Sequence, residues 1–238
     1  MKKKVVLINP GQRARFDAHE PLNIGSIAAA LEPLGVEVRI IDEVAGQDVK
    51  AEIARFQPSI AGITAATPFA DDAYRATRIC RSAGILTVMG GVHASVLTDE
   101  ALGHADIVVK GEGEEAMKDI VLNDVRDRIV TRPCIKDLDS ISRPAYHLMG
   151  MDFYRAARSR CPYNTALMFI LKGFPVASML TSRGCPYSCI FCHNSWKGLP
   201  FRAHSPERVV QDIQFLIDTY KVKAIVFFDD DLFAVKKR

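Results

Sequence analysis

Lys4-Val5-Val6-Leu7-Ile8-Asn9-Pro10 is a run of mostly β-branched apolar residues stopped by Asn-Pro. Consecutive apolar positions suit a strand buried on both faces, as in a parallel sheet, better than a half-exposed one, which would alternate. Outward from this run the chain repeats one alternation. A helical pattern covers Ile24 to Leu34, then strand Glu37 to Asp42, helix Asp48 to Phe56, strand Ser59 to Ala65 and helix Ala70 to Ala83. Strand Ile85 to Gly90, helix Ser95 to Gly103, strand Ile107 to Val109 and helix Glu114 to Leu122 complete it. Five strands alternating with five helices predict right-handed βαβ units and a doubly wound parallel sheet, an α/β fold covered on both faces.

Such sheets bind ligands beyond the carboxyl ends of their strands, where the strand order reverses. Asn9-Pro10-Gly11, Thr64-Ala65-Ala66-Thr67, Gly90-Gly91-Val92-His93 and Gly111-Glu112-Gly113-Glu114 all follow predicted strands. The glycines permit close approach to the backbone, and Thr64 and Thr67 offer hydroxyls. A tight turn alone also accounts for Gly90-Gly91.

From Asn123 to Tyr163 the periodicity weakens. Lys136-Asp137-Leu138-Asp139-Ser140-Ile141-Ser142-Arg143-Pro144-Ala145 reads as a linker with solvated charges. Tyr154, Arg155, Arg158 and Arg160 read as a basic patch, either a surface helix face or a contact for a substrate tail. A second alternation begins with strand Val176 to Thr181. Ser205 is a good N-cap and Pro206 suits the first turn of a helix whose apolar face carries Val209, Ile213, Leu216, Ile217 and Tyr220. Strand Lys223 to Phe228 follows, reads as buried, and ends in Asp229-Asp230-Asp231. Strand, loop, helix, strand, loop is the opening of a (β/α) barrel, whose chemistry sits at the carboxyl ends of its strands.

Between those strands lies Ser182-Arg183-Gly184-Cys185-Pro186-Tyr187-Ser188-Cys189-Ile190-Phe191-Cys192-His193. Three cysteines on one short loop can converge on one metal centre, and three thiolates leave a position open where a closed structural site uses four ligands. A Cys3His zinc site using His193 is the alternative at this point. A disulfide reading is weaker still, because three crowded cysteines cannot all pair with one another and no secretory signal places the chain in an oxidising compartment; a cytoplasmic location is the expectation. Cys80, Cys134 and Cys161 are scattered and read as small buried apolar side chains.

The 238 residues, 48% of them hydrophobic, suffice for two ordinary domains. A net charge of +3 argues for no nucleic-acid partner, because the basic runs sit at the chain ends. The longest apolar stretch, Thr165 to Leu180, is broken by Lys172, Gly173 and Pro175, so no transmembrane segment is expected.

The loop resembles the cluster loop of the radical S-adenosylmethionine (SAM) enzymes, Cys-x3-Cys-x-aromatic-Cys, with Phe191 at the aromatic position. The first half is similar to the cobalamin-binding domain that precedes the barrel in B12-type radical SAM proteins. The resemblance implies a flavodoxin-like, cobalamin-binding domain over 1–122, a connector over 123–175, and the first two strand units of a radical SAM partial barrel over 176–238. It implies that Cys185, Cys189 and Cys192 hold a [4Fe-4S] cluster, that Phe191 packs on the adenine of SAM, and that Asp230 and Asp231 receive its ammonium. It further implies cobalamin held through backbone at Asn9, Thr64, Gly90, Gly91 and Gly111. Asp17-Ala18-His19-Glu20-Pro21-Leu22 departs from the Asp-x-His-x-x-Gly of many cobalamin domains by leucine for glycine, so His19 is not expected to ligate cobalt.

The implied activity is generation of a 5′-deoxyadenosyl radical, with methyl transfer or radical cyclisation or rearrangement of a small-molecule substrate. An electron donor such as flavodoxin or ferredoxin is the implied partner. The rival reading is a non-catalytic cobalamin- or zinc-binding protein or an inactive fragment. Two strands do not make a barrel, so the expectation from sequence is an incomplete enzyme, either truncated or completed by a second chain.

Overall fold

The computed structural model describes residues 3–11, 19–157, 174–190, 192 and 200–234. The chain divides into two compact units, one of Met1–Arg13, Asn23–Cys134 and Pro144–Met149, the other of Ala14–Leu22, Ile135–Arg143 and Gly150–Arg238.

In the first unit, β1 (Lys4–Asn9), β2 (Glu37–Asp42), β3 (Ile60–Thr64), β4 (Leu86–Gly90), β5 (Ile107–Lys110) and β6 (Ile129–Thr131) form one sheet in the order β2-β1-β3-β4-β5-β6. Every pairing is parallel. Val5, Val6, Leu7 and Ile8 are at most 1% exposed, as their unbroken apolar run requires of a strand covered on both faces. The connecting helices are α1 (Leu22–Leu31), α2 (Val49–Phe56), α3 (Ala70–Ser82), α4 (Val92–Val96), α5 (Thr98–His104) and α6 (Glu114–Leu122). Asp48 caps α2 by accepting from Ala51 N–H at 2.8 Å.

Two features differ from the periodicity. The helix expected over Ser95 to Gly103 is two short helices broken at Leu97. There the Ser95 hydroxyl donates to Gly91 O and the Thr98 hydroxyl to Ser95 O, so side chains occupy carbonyls at the junction. The sheet also gains a sixth strand, β6, from the stretch read as connector. With three residues and only Val130 buried, it carries no readable pattern. Pro144–Met149 closes on α1: Ala145 N–H donates to Gly25 O at 2.9 Å, and a Cβ at Gly25 would lie 1.8 Å from Met149 Cε.

In the second unit, β7 (Val176–Met179) pairs in parallel with β10 (Ala224–Phe227), and β8 (Ser182–Arg183) pairs antiparallel with β9 (Arg202–Ala203). Helix α7 (Met151–Ala157) packs on β7, and α8 (Pro206–Tyr220) connects β9 to β10. Ser205 Oγ accepts from Arg208 N–H at 3.1 Å, the cap that the sequence announces. Leu216 is the buried apolar residue of α8, while Ile217, expected inside, is 41% exposed. Strand β10 is only half-covered, contrary to its reading as buried, because among the described residues its only strand neighbour is β7. Tyr154 is fully buried, which removes it from any surface patch; Arg158 and Arg160 lie outside the described residues. Cys80 is buried as expected, Cys134 is half-exposed, and Cys161 is outside the described residues. Among the described residues no helix is long and apolar enough to cross a membrane.

Lys136, Asp137 and Asp139 are exposed, as expected of a linker, but Asp139 and Arg143 also make specific ties. Asp139 accepts from Ser205 N–H (3.1 and 3.3 Å) and contacts His204 Nδ1 at 3.0 Å. Arg208 donates to the carbonyls of Asp139 (3.2 Å) and Ile141 (3.0 Å). Arg143 pairs with the buried Asp212 at 2.7 Å and lies over the Phe215 ring, 4.1 Å from its centroid. Arg202 donates to Ile135 O at 2.6 Å. Residues 135–143 are therefore strapped to β9 and the start of α8, because linker carbonyls and α8 N-terminal groups supply what the other lacks.

Hydrogen bonding from Ser205 holds the Asp139 carboxyl below the usual carboxylate range, and burial holds His204 below the usual imidazole value, though Asp139 pulls it the other way. Both shifts make acid destabilising. Below about pH 6.5 the unfolded histidine takes up a proton that the folded one resists, and below about pH 4 the unfolded aspartate does the same. Amide-exchange protection of α8 should thus fall in two steps between pH 7.5 and 3.5, and Asp139→Asn should remove the second. Protection independent of pH over that range, after correction for intrinsic exchange, would contradict the assignment.

Candidate functional site

Each unit carries one cluster of sequence-predicted residues at the carboxyl ends of its strands. In the first unit the order β2-β1-β3 places the reversal at β1 and β3, so their ends, Asn9 and Thr64, flank the crevice such sheets offer to ligands. Asn9 Nδ2 donates to Asp42 Oδ1 at 3.0 Å, and the same oxygen accepts from Val44 N–H at 3.1 Å. The buried Asp42 thereby orients Asn9 and closes the turn after β2. Thr64 Oγ1 accepts from Asn23 Nδ2 at 2.7 Å.

Gly91 has φ +97°, and a Cβ there would meet Ala65 O at 2.6 Å, so the turns after β3 and β4 touch backbone to backbone. Ala65 N–H donates to Gly90 O (2.8 Å) and His93 N–H to Ala65 O (3.1 Å). Gly111, at φ +99°, has nothing within 4 Å of a Cβ, so its outer side is open. Its N–H, however, is taken by Ser95 Oγ at 3.2 Å. Asn9, Thr64, Gly90, Gly91 and Gly111 thus lie at or just past neighbouring strand ends of one sheet.

Sequence reasoning missed a polar chain beside these turns. The His93 ring, 2% exposed, has Nε2 2.7 Å from Tyr74 Oη and Nδ1 3.3 Å from Thr67 Oγ1. Tyr74 donates to Glu100 Oε1 at 2.8 Å and stacks on His104, with ring centroids 3.7 Å apart. Burial and then the Glu100 hydrogen bond raise the Tyr74 pKa above its ordinary value, so the hydroxyl keeps its proton. The only sequence signal was a histidine two residues after the glycine pair.

In the second unit the β8–β9 ladder closes the base of the cysteine loop, pairing Ser182 with Ala203 and Arg183 with Arg202. Cys185 is half-buried, Cys189 and Cys192 are exposed, and all three are free thiols. Cys192 N–H donates to Cys189 O at 3.2 Å. Among the described residues no three His, Cys, Asp or Glu side chains converge closely enough to hold a metal ion, these cysteines included. Phe191 and His193 lie outside the described residues. The ends of β7 and β10 are knotted by Asp229, which accepts from Thr181 N–H at 3.0 Å, Thr181 Oγ1 at 2.8 Å and Ser182 Oγ. Asp229, to which the sequence assigned no role of its own, therefore supports the loop base. Asp230 is exposed, and Asp231 Oδ1 accepts from Phe233 N–H at 2.9 Å. His19 stacks on Phe228 at 4.6 Å between centroids.

Residues 13–121 match the B12 binding domain family. The chain is 34% identical over 230 residues to an uncharacterized methyltransferase of Pyrococcus horikoshii, covering 85% of this chain and 47% of that protein. It is 26% identical over 218 residues to the anaerobic magnesium-protoporphyrin IX monomethyl ester cyclase of Rubrivivax gelatinosus, covering 80% and 37%. Among solved structures it resembles TsrM of Kitasatospora setae, a radical S-adenosylmethionine methyltransferase, with TM-score 0.71, 19% identity and coverage of 97% of this chain and 48% of that one. The chain spans less than half the length of these relatives. The first half of the chain thus matches the B12 binding domain family over residues 13–121, and nearly its whole length shares the fold of TsrM.

Proposed function

We propose that the chain serves a cobalamin-dependent radical SAM reaction, with methyl transfer to a small-molecule substrate favoured over radical cyclisation or rearrangement. The observation that carries the reading is the loop of three free thiols, held at its base by the β8–β9 ladder and by Asp229, at the end of the first strand of the second unit. TsrM, which the fold resembles, has been seen with cobalamin and a [4Fe-4S] cluster, and with tryptophan and a SAM analog. The donor set fits a cluster. The three sulfurs lie within eight residues, two of them face solvent, and assembly of a metal centre supplies the free energy that draws its ligands together.

Cys185, Cys189 and Cys192 would hold the [4Fe-4S] cluster, and Asp230 and Asp231 would receive the ammonium of SAM through charge-assisted hydrogen bonds. Phe191 is assigned to the adenine. Asn9, Thr64, Gly90, Gly91 and Gly111 would line the cobalamin site, with the open side of Gly111 giving the corrin room. Together the cofactors would supply one-electron cleavage of SAM and a methyl carrier, chemistry no side chain performs. The chain's own contribution is position. Thr181 and Ser182 on Asp229 fix the loop base, and Asp42 fixes Asn9. An external one-electron donor of the flavodoxin or ferredoxin kind completes the reading.

Anaerobically reconstituted protein should bind iron and sulfide with a brown absorption bleached by dithionite, and each of Cys185→Ala, Cys189→Ala and Cys192→Ala should abolish it. Stoichiometric zinc without sulfide would instead establish the Cys3His alternative. In the reconstituted protein, Asp230→Ala combined with Asp231→Ala should weaken SAM binding by about tenfold or more, the worth of a charged hydrogen bond. Unchanged affinity by isothermal titration removes both residues from the SAM site.

A further inference from the structure

The buried chain Thr67–His93–Tyr74–Glu100 has only one consistent set of proton positions when its histidine is neutral. Glu100 as a carboxylate only accepts, so the single Tyr74 proton is spent on it at 2.8 Å. The contact of Tyr74 Oη with His93 Nε2 at 2.7 Å then needs a proton from the imidazole, which makes His93 the Nε2–H tautomer. Its Nδ1 is left with a lone pair, and the Thr67 hydroxyl 3.3 Å away must donate to it. Thr67 is exposed, in the turn just past β3, so both of its remaining lone pairs are available on the solvent side. A threonine hydroxyl ordinarily rotates to donate or accept as its partner demands, and here that freedom is removed.

We propose that His93, Tyr74 and Glu100 are positioning residues that make Thr67 an acceptor-only hydroxyl at the cofactor edge of the first unit, selecting a ligand N–H donor over an anionic oxygen. Resting on the cobalamin reading above, it assigns Thr67 to a primary carboxamide on the corrin rim, not to the phosphate of the nucleotide tail. The acceptor is held in place by the same elements that shape the edge. His93 N–H donates to Ala65 O, and Gly91 lets the turns after β3 and β4 meet. Among the described residues the groups facing His93 and Tyr74 are Thr67, Glu100, His104 and, more distantly, Asp71, and no lysine or arginine makes a hydrogen bond to either ring.

The test joins nitrogen NMR to ligand binding on the full chain. Imidazole 15N spectra at pH 7.5, with His93→Gln assigning the resonance, should give the Nε2–H signature for His93, and Tyr74→Phe should convert it to a tautomer mixture. By equilibrium dialysis, Thr67→Val should weaken hydroxocobalamin binding about fivefold, the worth of one neutral hydrogen bond, and Thr67→Ser should restore it. Tyr74→Phe should weaken binding by a similar factor without a matching loss of melting temperature, which a purely structural role would not produce. Cobinamide, which keeps the corrin amides and lacks the nucleotide phosphate, should show the same Thr67→Val loss. An Nδ1–H or doubly protonated His93, or equal cobalamin affinity of wild type and Thr67→Val, overturns the proposal. Wild-type protein that binds no cobalamin while His93 keeps its Nε2–H signature overturns the cobalamin reading itself and, with it, this assignment of the ligand.

Discussion

Strand β1 has a parallel partner on each side, β2 and β3, and that placement is the constraint on which the first unit depends. A strand so placed must be apolar on both faces, and it must be entered and left by connections that cover both faces. The same placement creates the reversal of strand order that opens a crevice at the carboxyl ends of β1 and β3. Burial of Val5 to Ile8 therefore stabilises the sheet and at the same time places Asn9 and Thr64 at that reversal. Core and site follow from one arrangement of strands.

The second unit positions its chemistry differently, with polar ties where the first unit uses a wide sheet. Its described parallel sheet has two strands, β7 and β10, and the cysteine loop leaves the end of β7. What keeps that end in place is a carboxylate, Asp229, reaching from the end of β10 to Thr181 and Ser182. The two-residue ladder of β8 and β9 then brings the loop's ends together. The segment 135–143 is held by the same logic, since Asp139 and two linker carbonyls satisfy donors at the start of α8. These ties involve charged groups close to water and are sensitive to protonation, whereas the apolar burial of β1 is not.

Much of this was legible in the chain. The apolar runs, the helical periods between them, the Ser205-Pro206 start of α8 and the spacing of Cys185, Cys189 and Cys192 are local signals. What was not legible has a common cause. Strand β6 is three residues long, too short for a period, and exists because β5 offers it an edge. Asp139, Arg143 and Asp212 look like surface charges because the partners that fix them are distant in sequence; Arg143 and Asp212 meet across 69 residues. Tyr74, His93 and Glu100 come from three different helices, and a hydrogen-bond chain across three helices leaves no spacing rule behind.

By itself the sequence determined the α/β class, the position of the strand ends and the identity of the three thiols, because backbone burial and ligand chemistry are written into residue type and short-range order. Tertiary structure alone decided the strand order around β1, the strapping of 135–143 to α8, the Asp229 tie and the run of polar contacts between Thr67 and Glu100. Those depend on which distant groups meet, and a hydrogen bond requires its partners within about 3 Å and in line, a condition no single stretch of chain can state.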